Sequence, residues 1–205
     1  TLVQDYYCRF LADLNQDEFQ IIDLIAGDRL RFKKSNLLLA ELNSDDPDKE
    51  KCITLMLEAT AKISYQFNPI STGYDDLKSS GNLNTFTDQM IVDRVGRYLQ
   101  NAEGTAGNIA SNGQLALKEM FDLEDLFAIG FIDNSFLNGG IDTTIVRSEY
   151  LDRNPLSLAQ KKDLKNLAVV LIAFNYRNLQ HYQFILAEIQ TVKPLLEAKC
   201  NIKPE

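Results

Sequence analysis

The sequence predicts an all-α protein, an elongated antiparallel helical bundle with long first and last helices. Three observations lead there. Apolar residues recur three, four and seven apart through long stretches at both ends of the chain. Gly and Pro are scarce, 10 and 5 in 205 residues, in a chain that is 45% hydrophobic and 24% charged. No stretch of any length alternates apolar and polar residues as a half-buried strand does. The whole chain, 1–205, reads as a single helical domain.

Residues from about 2 to 43 read as one amphipathic helix, with Tyr6, Phe10, Leu14, Ile21, Ile25, Leu30, Leu37 and Leu42 on its apolar face. Gly27 interrupts it at modest cost. Such a helix would run about 60 Å. Ser44-Asp45-Asp46-Pro47-Asp48 then reads as a turn and helix start, with Pro47 at the first helical position. A second helix, about 47 to 66, carries Ile53, Leu57, Ala61 and Tyr65 on one stripe.

The segment 67–86 is a corner. Pro69 cannot continue the preceding helix and pushes Asn68 out of the α region. Thr72 is placed as an N-cap, with Asp75 three residues on in a capping-box spacing. Tyr74 and Leu77 then share one face of a short helix, and Gly81 is placed as its left-handed terminator. Leu83 and Phe86 return to an apolar surface.

A third long helix is expected from near Thr87, carrying Ile91, Val95, Tyr98 and Leu99. It is expected to weaken through Gly104, Gly107 and Gly113 and to resume from Leu117 to Phe127. Residues about 128–156 are irregular, with short helical turns near 131–137 and 146–151. Ser157 caps a last helix of about 157–199, where Leu164, Leu167, Leu171, Phe174, Leu179, Tyr182, Leu186 and Ile189 are apolar. Pro194 is expected to kink it or restart it near Thr191. First and last helices of near-equal length suit antiparallel packing through knobs-into-holes seams.

The formal net charge is −8. The densest basic run, Arg29 to Lys34, is short and reads as a solvated helix face, which argues against nucleic acid as a partner. Cys8, Cys52 and Cys200 are far apart and odd in number, so no disulfide framework is expected. Cys8 and Cys200 fall near the outer ends of the first and last helices, and the sequence leaves their pairing open. No apolar run approaches the roughly 20 residues of a membrane span. The chain starts in mid-helix at Thr1-Leu2-Val3 without a Met, which predicts that more sequence precedes it.

Chemistry-bearing patterns are weak. Arg177 and His181 lie four apart on one helix face, an arrangement seen in outline in helical nucleases, but an interhelical bond or exposed pair accounts for it better. Asp133 to Gly140 faintly resembles a calcium loop, with its glycine out of register and Thr144 where a Glu is needed. Asp45, Asp46, Asp48 and Glu50 read as a solvated helix cap. No phosphate loop, nucleophile elbow or di-iron pattern is present, and no cofactor, metal site or catalytic residue is assigned. The eight tyrosines read as bundle packing with hydroxyls at the rim.

The corner and its flanking helices resemble a family of single-pass, membrane-anchored helical proteins of Bacteroidetes, a domain of unknown function. The resemblance rests on Phe10-Leu11-Ala12-Asp13-Leu14, on Phe67, Pro69, Tyr74, Leu77, Ser80, Gly81 and Leu83, and on the Leu195-Leu196 pair. It covers most of the chain but is specific only in the corner, and about 104–156 match nothing in it. It implies a transmembrane helix before Thr1 and a location on the periplasmic face of the inner membrane. It supplies no activity.

Three readings of function follow. The first is a non-enzymatic extracytoplasmic interaction or scaffold domain, whose partners are other proteins or a second copy of itself. The second is a helical-bundle sensor of a small ligand. The third and weakest is a helical nuclease using Arg177 and His181. The corner itself, with Tyr74 and Leu77 on one face, is expected to be structural rather than a binding site.

Overall fold

A computed structural model describes residues 2–86, 88–123 and 155–200. Five α-helices follow in order among the described residues: α1 (Leu2–Leu42), α2 (Lys49–Thr60), α3 (Thr72–Ser79), α4 (Gln89–Phe121) and α5 (Leu158–Cys200). A 3-10 turn at Asn82–Thr85 joins α3 to α4. No described residue lies in a strand. The fold is all-α, with long first and last helices. The expected helix start at Thr87, the helical turns at 131–137 and 146–151, and the Asp133–Gly140 loop lie outside the described residues.

The main buried positions of α1 step by three or four: Tyr7, Phe10, Leu14, Asp17, Ile21, Ile25, Asp28, Arg31, Ser35, Leu38 and Leu42. In α5 the series is Leu164, Ala168, Leu171, Asn175, Asn178, Tyr182, Ile185, Ile189, Val192 and Leu196. A mean step of 3.5 is the period of a coiled-coil seam. Leu30 and Leu37, expected in the core, are 55% and 44% exposed. They sit on the neighbouring stripe, while polar Asp28, Arg31 and Ser35 hold the seam. The basic run is therefore not wholly a solvated face, since Arg31 within it is buried.

α2 begins and ends differently from expectation. Asp48, not Pro47, starts it: Asp48 is the N-cap, and its Oδ1 accepts the Lys51 N–H at 3.0 Å. The helix stops at Thr60 rather than near 66, and Lys62 takes φ 56. Its buried stripe is Cys52, Leu55, Met56 and Ala59, so Ala61 and Tyr65 fall beyond it. Arg31 Nη1 donates to the Ala61 carbonyl at 3.0 Å, satisfying one of the acceptors a helix end leaves open.

α4 runs unbroken through Gly104, Gly107 and Gly113. A glycine costs a helix about 1 kcal/mol, and burial of Ala102, Ile109 and Ala116 around the three outweighs it. α5 likewise passes through Pro194 without restarting, held by buried Val192 and Leu196 on either side. Its start is as read from the sequence. Ser157 Oγ accepts the Gln160 N–H at 3.2 Å, and Gln160 Oε1 accepts the Ser157 N–H at 3.0 Å.

The chain divides into two compact units. The first comprises Thr1–Ala26, Tyr65–Ser111 and Asn178–Glu205. Its core joins Phe10, Leu14 and Ile21 of α1 to Phe67, Leu77 and Phe86 of the corner, Tyr98 of α4 and Tyr182 and Ile189 of α5. Here α1 and α5 pack antiparallel. A disulfide joins Cys8 to Cys200 with Cα atoms 4.9 Å apart, and Glu18, further along α1, pairs with Lys193, further back along α5, at 2.6 Å.

The second unit comprises Gly27–Ser64 and Asn112–Arg177. Leu38 and Leu42 of α1 pack with Cys52 and Met56 of α2, Met120 of α4 and Leu164 and Leu171 of α5. Within it Arg31 ties three elements together, through Asp28, the Ala61 carbonyl and Asn175 Oδ1 at 3.3 Å. Among the described residues, no helix is long and apolar enough to cross a membrane.

Candidate functional site

The corner is built onto α1 by two carboxylates one helical turn apart. Asp13 Oδ2 accepts the Gly73 N–H at 2.8 Å. Asp17 Oδ1 accepts the Ile70 N–H at 3.0 Å, and its Oδ2 accepts the Tyr98 hydroxyl of α4 at 2.7 Å. Gly73 is the second residue of α3, so its N–H is one that the helix itself leaves unsatisfied. Asp13 caps α3 from 60 positions away in sequence.

The local capping expected from Thr72 does not form. Ser71 is the N-cap and makes no side-chain cap bond. Its hydroxyl lies 2.5 Å from Asp75 Oδ2 instead. Gly81 takes φ 71, the left-handed conformation that ends α3.

Two glycines permit the close approach. A Cβ on Gly73 would lie 3.0 Å from Phe10 Cδ1 and 3.1 Å from Arg9 Cβ. A Cβ on Gly96 of α4 would lie 2.5 Å from the Tyr74 hydroxyl oxygen. Tyr74 is therefore held between α1 and α4, its ring centroid 6.3 Å from that of Phe10. Phe86 stacks on Phe10 and meets Tyr7 edge-on at 5.1 Å.

Of the residues singled out by sequence, Phe67 and Leu77 are fully buried. Pro69, Tyr74 and Leu83 are half-buried, while Ser80 and Gly81 are exposed. Ser80 Oγ shares a 3.1 Å hydrogen bond with the Tyr6 hydroxyl. The structure thus brings the motif together as one docked corner. Sequence reasoning missed Asp13, Asp17, Tyr98, Gly73 and Gly96. One signal was legible: Asp17 falls in step with Phe10, Leu14 and Ile21, where an apolar residue belongs.

Burial lifts the Asp17 carboxyl to about 6, against the pull of the Tyr98 hydroxyl and the Ile70 N–H, and the nearby Asp13 charge adds to the rise. Burial also raises Asp13, offset by the Gly73 N–H. The Tyr98 phenol is pushed up by burial and then by the Asp17 charge. An acid near neutrality beside a phenol has the components of proton transfer. Asp17 is 0% exposed and both its oxygens are engaged, so its chemistry is the holding of the corner.

Elsewhere, Arg177 is exposed and His181 half-buried on α5, and each already has partners. Asp48 is occupied as a cap, and Glu41 accepts its N–H at 3.1 Å and pairs with Lys51 at 2.5 Å. The Cys52 thiol is buried and pushed up to about 11, chiefly by burial, which keeps it from the reactive thiolate form. Among the described residues, no three His, Cys, Asp or Glu side chains are grouped to hold a metal ion.

Comparison with protein-family models, curated proteins and solved structures finds no match for this chain.

Proposed function

We propose that the chain is a non-enzymatic interaction domain held outside the cytoplasmic membrane by an anchor that precedes it. The observation that carries the interaction reading is the display of large apolar side chains beside a well-filled core. Phe19 of α1 is 76% exposed and Tyr65 is 57% exposed, and both border one cleft. Exposed aromatic side chains grouped at one cleft support contact with other molecules. Asp13, Asp17 and Tyr98, whose titration is perturbed, are by contrast committed to internal hydrogen bonds.

The Cys8–Cys200 disulfide supports the location. Disulfides persist in oxidising compartments such as the bacterial periplasm and are rare in the cytosol. The anchor itself rests on the family resemblance of the corner. Fractionation of host cells producing the complete gene product tests both points. The domain is expected with the membranes, open to protease added from the periplasmic side, with Cys8 and Cys200 resistant to alkylation until reduced. A cytosolic product with both thiols free would overturn the location.

A further inference from the structure

In the first unit Phe19 and Tyr65 border an open cleft of about 360 Å³, completed by Gln20, Asp23, Leu24 and Gln66. We propose that this cleft receives a lysine or arginine side chain of a protein partner. The proposal rests on the interaction-domain reading and names the chemistry of its partner.

Phe19 and Asp23 are four residues apart on α1, so ring and carboxylate rise from the same helix face. Aromatic faces attract cations through their quadrupole, and a carboxylate pairs with the same group. Gln20 and Gln66 add amide oxygens that can accept N–H donors around the cation. Leu24 and the two rings offer an apolar wall for the methylene stem of Lys or Arg.

Charge argues in the same direction. None of the six lining residues is basic, and the chain carries −8. An anion is repelled. A purely apolar occupant would strip water from Asp23 without supplying a counter-charge. A second copy carries the same net charge of −8.

The test is a titration of the ¹⁵N-labelled chain with four capped tripeptides, Gly-X-Gly, where X is Arg, Lys, norleucine or Glu. Saturable shifts at Phe19, Asp23 and Gln66 are expected with Arg and Lys only. Asp23→Asn and Phe19→Ala should each weaken binding about 2–5-fold. Both change exposed side chains, and unaltered spectra elsewhere would verify the fold. Equal shifts with norleucine would make the cleft a plain apolar groove and overturn the proposal. So would silence with all four peptides, or shifts that grow with protein concentration alone and so report a second copy. A partner that binds elsewhere while the cleft stays silent would remove this site and leave the wider reading standing. A cleft that binds Arg in a protein shown to be cytosolic would do the reverse.

Discussion

The Tyr98 hydroxyl donates a 2.7 Å hydrogen bond to Asp17 Oδ2, with both side chains fully enclosed. Through Asp17 the bond couples α4 to α1, and through the Ile70 N–H it couples both to the corner. This buried acid makes the first unit's stability depend on pH. Its carboxyl is raised from 3.8 to about 6, so the folded state binds the proton more tightly than the unfolded one. The stability it contributes is full below about pH 4, falls as pH rises to about 6, and is flat above. A shift of this size corresponds to at most about 3 kcal/mol. Asp17→Asn keeps an acceptor for Ile70 and a donor for the Tyr98 oxygen without burying charge. Urea unfolding between pH 4 and 8 should show a flatter profile for the variant and at least wild-type stability at pH 7.5. A variant much weaker than wild type at pH 7.5 would mean that the charge itself holds the corner.

Gly81→Ala should destabilise by about 1 kcal/mol or slightly more. No atom lies within 4 Å of the added Cβ, so the cost is the left-handed backbone alone. Gly81→Asn, which tolerates that conformation better, should cost less in the same urea titration. Equal loss for both would point to a steric origin.

Gly73→Ala acts by a different route. Helix propensity favours alanine by roughly 1 kcal/mol. The new Cβ nevertheless meets Phe10, which is 1% exposed and has no room to retreat, and it crowds Asp13 Oδ2 at 3.2 Å. Overpacking of this kind costs about 1–3 kcal/mol. A net loss of stability is expected by denaturant titration, and a gain would show that the corner can lift off α1 without penalty.

Leu77→Ala removes a side chain that is 0% exposed within the first unit's core. A loss of about 2–5 kcal/mol is expected, read as a lowered melting transition. A variant that melts like wild type would contradict the structural reading of the corner.

Reduction of Cys8–Cys200 should lower stability by about 2–4 kcal/mol, because the bond closes a loop of 192 residues in the unfolded chain. Melting with and without reductant, with Cys8→Ser as control, measures this. The control should lose its sensitivity to reductant.

The helical architecture was legible because its signals are local. Apolar spacing marked α1 and α5, Ser157 marked a start, and Gly81 marked a stop. The corner's partners were not legible, because Asp13 and Gly73 are 60 positions apart and nothing local links them. The seam was misread at Leu30 and Leu37 for a related reason. Two apolar stripes run side by side on α1, and the buried one there carries Asp28, Arg31 and Ser35. The burial of Arg31 depends on partners from other elements, the Ala61 carbonyl and Asn175, and Asp28 and Ser35 bond in turn to Arg31. The glycines of α4 read as breaks because a sequence does not show how firmly the neighbouring residues are packed.

Photo-crosslinking in intact cells, with benzoylphenylalanine at position 19 of the complete gene product, tests most directly whether the Phe19–Tyr65 cleft meets a protein partner. One discrete adduct is expected, its joined peptide carrying Lys or Arg next to the link, and Asp23→Asn should strongly reduce it. Absence of any adduct from position 19, or an adduct indifferent to Asp23→Asn, would contradict that contact.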